Sequence, residues 1–456
     1  MSIRLDPLSS HAPVTRRRFL HAGGISTLGL LFPGFLDKTA SATTTNGPTV
    51  TQPHYIRPIA GGARDPGKSL ILIVLQGGAS HFDTFDPRTP GTDSSIKGPF
   101  ERIETSARGI YITEPFQRLS RLIDKVKVVR NLYHNDSGHP SATSLMLTGD
   151  PSVNPPASDF YTDSRYPSPL KELTTHLFNT GNPVSDYVVL HHAELPVPNN
   201  ITPFEWPLSG TNARTQGTLY SSYNHQRQEF PNPFSGTLDP VRFRERETLL
   251  DAFNDSAFFP PSESATRFDA LQRQARARLN GNLRHAFNLS TVPAPIRDKY
   301  GRNQFGDMLL MAKKLVEAGS RVVVVNVGHF DHHYIIGTHL GRLLPPLDRA
   351  LSALIQEIEM LDLPIVGAVV SEFGRTPRVN SSQGRDHWPN SNSMLLFGQG
   401  IEGGEIIGQT RNDGIIQGNA LDASLVGESL LRKIGFARYV MRATVRTNEE
   451  FPHLNI

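Results

Sequence analysis

The chain has 456 residues, of which 38% are hydrophobic and 20% charged, with 38 Gly, 35 Pro and no Cys. This is a globular composition, neither disordered nor fibrous, and its proline and glycine predict long, shaped loops. Without cysteine there are no disulfides, no thiolate metal sites and no cysteine nucleophile, so stability must come from the core.

The formal charge is +3 and the sequence pI about 9.0. Residues 1–42 hold Arg4, Arg16, Arg17, Arg18 and Lys38 against Asp6 and Asp37, a net +3 that accounts for the whole excess. Nucleic acid is therefore not expected as a partner.

In chain order, Thr15-Arg16-Arg17-Arg18-Phe19-Leu20 precedes a weakly apolar stretch, Ala22 to Leu36, and a small-residue site at Ala40-Ser41-Ala42. This resembles a twin-arginine export signal cleaved after Ala42. The twin-arginine translocase is thus an expected partner during export, and the periplasm or the extracellular space the expected location. The stretch is too short and glycine-rich to span a bilayer stably. An uncleaved anchor or a basic surface helix is the alternative. Residues 43–66 read as an extended linker. Residues 67–456 read as one α/β domain with a loop-rich insertion at about 196–261.

Three apolar runs each open onto a polar loop: Ser69 to Leu75, Arg321 to Val327 and Ile365 to Val370. A fourth strand is expected at Val126 to Val129, then a helix over Ala142 to Leu147 with Pro140 in its first turn and Gly149 at its end. Tyr187 to Leu190 and Met394 to Phe397 are further strand candidates. Apolar residues at spacings of three and four predict an amphipathic helix over 264–289, and further helices are expected at about 302–318, 340–360 and 422–434. Strands alternating with helices argue a parallel sheet, and the carboxyl ends of parallel strands share one edge.

The residues at that edge suit a divalent cation. Asp331 and His333 flank His332, and alternate residues of an extended segment point the same way, so the pair can ligate one ion while His332 points elsewhere. Glu372 adds a carboxylate after the next strand. His387 is a further ligand candidate, with Asp386 bonded to its other ring nitrogen or to a neighbouring group. In the first loop His81 and Asp83 are the candidates, ahead of Asp86, which can simply cap a turn before Pro87. Arg375 and Arg385 suit an oxyanion, or equally a structural carboxylate pair. His139 and Ser141 stand at the start of a helix, where a group can meet an anion or act as nucleophile. A set of imidazoles and carboxylates accepts Zn, Mn, Fe, Mg or Ca.

Four segments carry a family resemblance: Gly77 to Asp86, Phe330 to His333, Glu372 to Pro377 and Gly384 to Trp388. They resemble the twin-arginine-exported, sulfatase-like family of unknown function within the alkaline phosphatase superfamily, over about Ser69 to Gly408. Phe330 stands where that family usually has Trp. The resemblance implies a mostly parallel central sheet sandwiched by helices and one or two divalent cations. On it, Asp331 and His333 look like ligands of one metal, Glu372 sits at an Asp position, and His387 looks like the late histidine ligand. The sequence departs from the superfamily at Gly77-Gly78, where an Asp ligand is expected, and at His139-Pro140-Ser141, which lacks an obvious nucleophile. With no Cys, and with Ser137 outside a serine-type sulfatase motif, formylglycine chemistry is not expected.

The expected function is a metal-dependent hydrolase acting on a phosphate or sulfate ester, a small anionic ester or a sulfated or phosphorylated polysaccharide. The attacking group would be a water whose pKa the cation brings to about 7, or Ser141. The alternative is a non-catalytic binding or surface-assembly protein that uses the 196–261 loop.

Overall fold

The computed structural model describes residues 67–149, 187–191, 219–222 and 285–435, with five helical positions between 242 and 249. The expected signal, the linker, most of the insertion and most of the helix at 264–289 lie outside the described residues. By contacts the chain divides into two compact units, one of Gln52–Pro231 with Asn280–Ile456 and the other of Met1–Thr51 with Asn232–Leu279. In the second unit the described residues are Arg242, Glu245, Arg246, Thr248 and Leu249. Everything that follows concerns the first unit.

Among the described residues its centre is a nine-stranded sheet. The strands are β1 Ser69–Leu75, β2 Val126–Tyr133, β3 Tyr187–His191, β4 Leu219–Ser222, β5 Val322–Val327, β6 Ile365–Val370, β7 Asn392–Gly398, β8 Glu405–Ile407 and β9 Leu421–Asp422. They lie in the order β8-β2-β7-β6-β1-β5-β3-β4, with β9 pairing β2. β1 runs parallel to both β5 and β6, while β7 is antiparallel to both its neighbours. The sheet is therefore mostly parallel, with one reversed strand.

The continuous apolar runs are continuous because helices cover both faces. On one face Leu70, Leu72 and Val74 share a core with Met146 and Leu147 of α1 (His139–Thr148) and Leu430 and Leu431 of α4 (Val426–Lys433). Ile71 and Ile73 are buried on the other face, where α2 (Gln304–Glu317) and α3 (Ile336–Met360) pack. Each such Leu or Ile contributes roughly 1.5–3 kcal/mol by leaving water. Among the described residues no helix is long and apolar enough to cross a membrane.

This topology positions the site. The loops after β1, β2, β5 and β6 leave the sheet at one edge, and the segment entering the reversed β7 arrives there too. Gly77 makes the turn after β1 at φ 113°, where a Cβ would lie 2.5 Å from the Asp331 backbone nitrogen. Only glycine lets the two loops approach that closely.

Candidate metal centre

Three elements supply the centre. His139 is the first residue of α1, with Pro140 next to it, and the helix ends on Gly149 in the left-handed conformation. Asp331 and His333 lie in the loop after β5. His387 comes from a two-residue ladder in which His387 pairs Arg375 and Trp388 pairs Gly374.

Asp331 is the hub. Its Oδ1 lies 2.9 Å from His333 Nε2 and 3.1 Å from His387 Nε2, and its Oδ2 lies 3.3 Å from His139 Nε2. His139, Asp331 and His387 each offer one ligand atom within 4.8 Å of the others. His333 adjoins them, its Nε2 lying 3.1 Å from that of His387.

The opposite nitrogen of every ring faces an oxygen. His139 Nδ1 is 2.7 Å from Glu372 Oε1, His333 Nδ1 is 2.9 Å from Asp386 Oδ1, and His387 Nδ1 is 2.8 Å from the Ser137 carbonyl. A carbonyl only accepts, so His387 Nδ1 carries its hydrogen; the Asp386 carboxylate assigns the same tautomer to His333. Both Nε2 atoms then face each other and Asp331 Oδ1, an arrangement that a cation bound among them would satisfy. Ligands about 2.0–2.1 Å from a tetrahedral ion lie about 3.3 Å apart, close to the 2.9–3.3 Å separations found here. The residues present thus fit a divalent cation, and oxygen partners on the far ring nitrogens are the usual support of metal-bound histidines.

The electrostatics agree. Burial opposes charge on His139, yet hydrogen bonds to Asp331 and Glu372 outweigh it and raise its pKa to about 9. Burial likewise opposes charge on Asp331, but His139, His387 and Arg375 hold its carboxyl well below the usual range. Glu372, wholly buried, is lowered against its burial chiefly by His139. A cation competes with the proton on His139 for the same nitrogen.

The other expected site residues take different places. Glu372 stands behind His139 and also accepts from the Gly77 amide at 2.8 Å. Asp83 turns its carboxylate to Arg385 at 2.7 Å and to the Ser80 hydroxyl at 2.6 Å, both away from the cluster. His81 is buried against Phe82 and Trp388, with its pKa pushed well down by burial and by Arg88 and Arg385. The first loop therefore buttresses the centre, a correction to its reading as a ligand source. Arg385 also donates to the carbonyls of Thr376, Pro377 and Ile96. Arg375 donates to the carbonyls of Gly77, Gly78 and Arg385 and to Asp331. Both guanidiniums are fully buried and bonded to internal acceptors, each with a carboxylate among them. Ser141 Oγ donates back to the Gly138 carbonyl at 3.1 Å. His332 is buried and stacked on His339 at 4.7 Å, and burial, with His339 and Arg375, lowers its pKa to about 3.

His139, a catalytic candidate from the sequence, stands in the cluster beside Asp331 and His387. The available signal was His-Pro at a helix start directly after a strand of the same sheet.

Fold and site together define an α/β protein with a histidine-carboxylate cluster at the carboxyl edge of its sheet. Residues 67–419 match the family described as "Protein of unknown function (DUF1501)", and the chain belongs to that family. No curated protein sequence matches it. Among solved structures it is similar to the C-terminal periplasmic domain of EcEptC from Escherichia coli in complex with Zn, at 9% identity and TM-score 0.39, covering 84% of this chain and 87% of that one. It is similar to a mutant of TAB5 alkaline phosphatase with Mg bound, at 11% identity and TM-score 0.35, covering 82% and 100%. A third likeness is to a protein in the alkaline phosphatase superfamily from Vibrio parahaemolyticus, at 10% identity and TM-score 0.36, covering 83% and 69%. Likenesses this distant carry nothing about ligand or activity to this chain.

Proposed function

We propose that this protein is an exported metal-dependent hydrolase of phosphate or sulfate esters. The observation that carries the reading is the convergence of three imidazole Nε2 atoms on Asp331, each ring held from behind by an oxygen. His139, Asp331 and His387 would hold a divalent cation, with His333 beside them. When bound, such an ion acidifies water and offsets the negative charge that builds on an ester's oxygens.

The chain's own residues do the rest. Glu372, Asp386 and the Ser137 carbonyl fix the tautomer and angle of each imidazole. Arg375 keeps Asp331 ionised and aimed, and the amino terminus of α1 turns its positive end toward the same space. Asp331 is 46% exposed along its side chain, so a substrate can reach the cluster from solvent. Export through the twin-arginine route, on the Arg16 to Arg18 segment, is part of the proposal and agrees with a protein that folds around its metal before translocation.

The test is metal content, then turnover. Protein purified without chelator is expected to hold close to stoichiometric divalent metal and to cleave at least one of a panel of phosphate and sulfate esters. Asp331→Asn with His387→Ala should lose both. A folded, metal-free wild type overturns the reading.

A further inference from the structure

A cleft of about 520 Å³ opens beside the metal cluster, within the roughly 300–1,000 Å³ typical of ligand pockets. Its walls come from the segment Ser94 to Pro99, from Ile335 with the start of α3, and from Val379 and Gln383, and the last two parts adjoin the loops that carry the centre. Ile335 follows His333 by two residues, so their Cα atoms lie within about 7 Å. The opposite wall contains Gln383, next to Gly384, where a Cβ would sit 2.0 Å from the His333 carbonyl carbon. Asn380 ties the walls to the centre, its amide donating to the His333 carbonyl at 3.0 Å and to Asp386 at 3.2 Å.

The lining selects an occupant. It offers the hydroxyls of Ser94, Ser95 and Thr338, the amide of Gln383, and the apolar surfaces of Ile335 and Val379, and it contains no ionisable side chain. The Arg378 guanidinium reaches the rim, donating to Ser95 Oγ at 2.7 Å, but Asp93 pairs with it there at 3.3 Å, so an anion meets no net counter-charge, and an acyl chain leaves the hydroxyls and amide without partners. A neutral polyhydroxylated ring satisfies both, pairing its hydroxyls with the polar groups and laying its C–H faces on the apolar ones. Tyr334, adjacent to Ile335 and bridged to Gln383, is 54% exposed and sets its ring edge-on to His339 at 5.4 Å.

The backbone there is strained. Ile335 has φ 38° and Gln383 φ 60°. A β-branched residue in the left-handed region is a genuine outlier, and such strain clusters where binding shapes the chain.

We propose that this cleft is a saccharide subsite that seats an uncharged sugar unit while the ester borne by a neighbouring unit lies at the metal cluster. The position of the ester rests on the hydrolase reading; the binding of the sugar does not. The substrate class is then a phosphorylated or sulfated oligosaccharide rather than a free inorganic or aryl ester.

The experiment titrates cellobiose, maltose and lactose into the metal-loaded exported protein by saturation-transfer NMR and calorimetry. At least one is expected to bind. Thr338→Trp, which fills the cleft from an exposed position, should weaken that binding at least tenfold with metal content unchanged. Ser94→Ala with Thr338→Val, which removes two hydroxyls and keeps the shape, should weaken it by about three- to tenfold. Where esters are turned over, Thr338→Trp should raise KM for a sugar-borne ester and leave that for a 4-nitrophenyl ester unchanged. No binding of any of the three sugars, or wild-type affinity in the Trp variant, overturns the subsite. Sugar binding without metal or ester turnover overturns the hydrolase reading alone.

Discussion

Glu372→Gln isolates the contribution of one buried charge to the metal centre. Glu372 is 0% exposed, and its Oε1 accepts from both the Gly77 amide, at 2.8 Å, and His139 Nδ1, at 2.7 Å. Gln keeps an oxygen at that position, so both hydrogen bonds survive; its nitrogen takes the place of Oε2, which lies 3.2 Å from Ser371 Oγ. Stability should therefore stay within about 1 kcal/mol of wild type. What disappears is the negative charge that makes His139 a stronger donor. Outer partners of this kind are worth about 10- to 100-fold in metal affinity, or about 1.4–2.7 kcal/mol at 1.36 kcal/mol per decade. Chelator competition with Zn and Mn at pH 9 reads the difference, since the proton on His139, with a pKa of about 9, competes less there than at neutral pH. Equal affinities in the two proteins would refute the assignment of His139 as a ligand.

Asp83→Asn should cost about 3–5 kcal/mol in urea unfolding, because it leaves the buried Arg385 charge without its partner. Metal affinity of the folded fraction should be unchanged, and a selective loss of metal would restore Asp83 to the ligand set. Ser141→Ala should retain ester turnover within about threefold, since its hydroxyl is engaged by its own helix cap, whereas a loss of 10²-fold or more would make it the nucleophile. Tyr300→Phe tests the core polar group in which the Tyr300 hydroxyl and Lys313 both donate to Glu357 Oε2, at 2.9 and 2.8 Å. It should cost about 1–2 kcal/mol at pH 7. Burial and Glu357 push the Tyr300 pKa well above 10, so the wild-type unfolded state loses that proton first and stability falls as pH rises past about 10. The gap between wild type and variant should then narrow by about 1.4 kcal/mol per pH unit, and a constant gap up to pH 11 counts against the buried phenol as its source.

Six of the sheet's strands were readable because burial on both faces leaves no alternation to misread, whereas the short strands β4, β8 and β9 were not. β1 and β6 are almost wholly apolar, β5 is apolar but for the buried Asn326, and each is followed at once by a loop that carries polar residues. The ends of α1 were equally local, since Pro140 suits a first turn and Gly149 a left-handed cap. Asp331 and His333 lie side by side, but on a turned segment in which the His332 amide donates to the Phe330 carbonyl, not on the extended one that the spacing assumed.

Partnerships across the chain were not readable in this way. Asp83 meets Arg385 302 residues away, and Asp386 holds the ring of His333 rather than that of its neighbour His387. Which loops face one another depends on the sheet order, with β5 and β6 on either side of β1 and β7 reversed, and no local pattern encodes that order. The residue types by themselves determined that imidazoles and carboxylates would gather at the carboxyl edge. Tertiary structure alone decided which of them converge, bringing His139 into the cluster and turning His81, Asp83, Arg375 and Arg385 inward. The reason is that a ligand and a structural ion pair use the same side chains, and only burial and the identity of the nearest charge tell them apart.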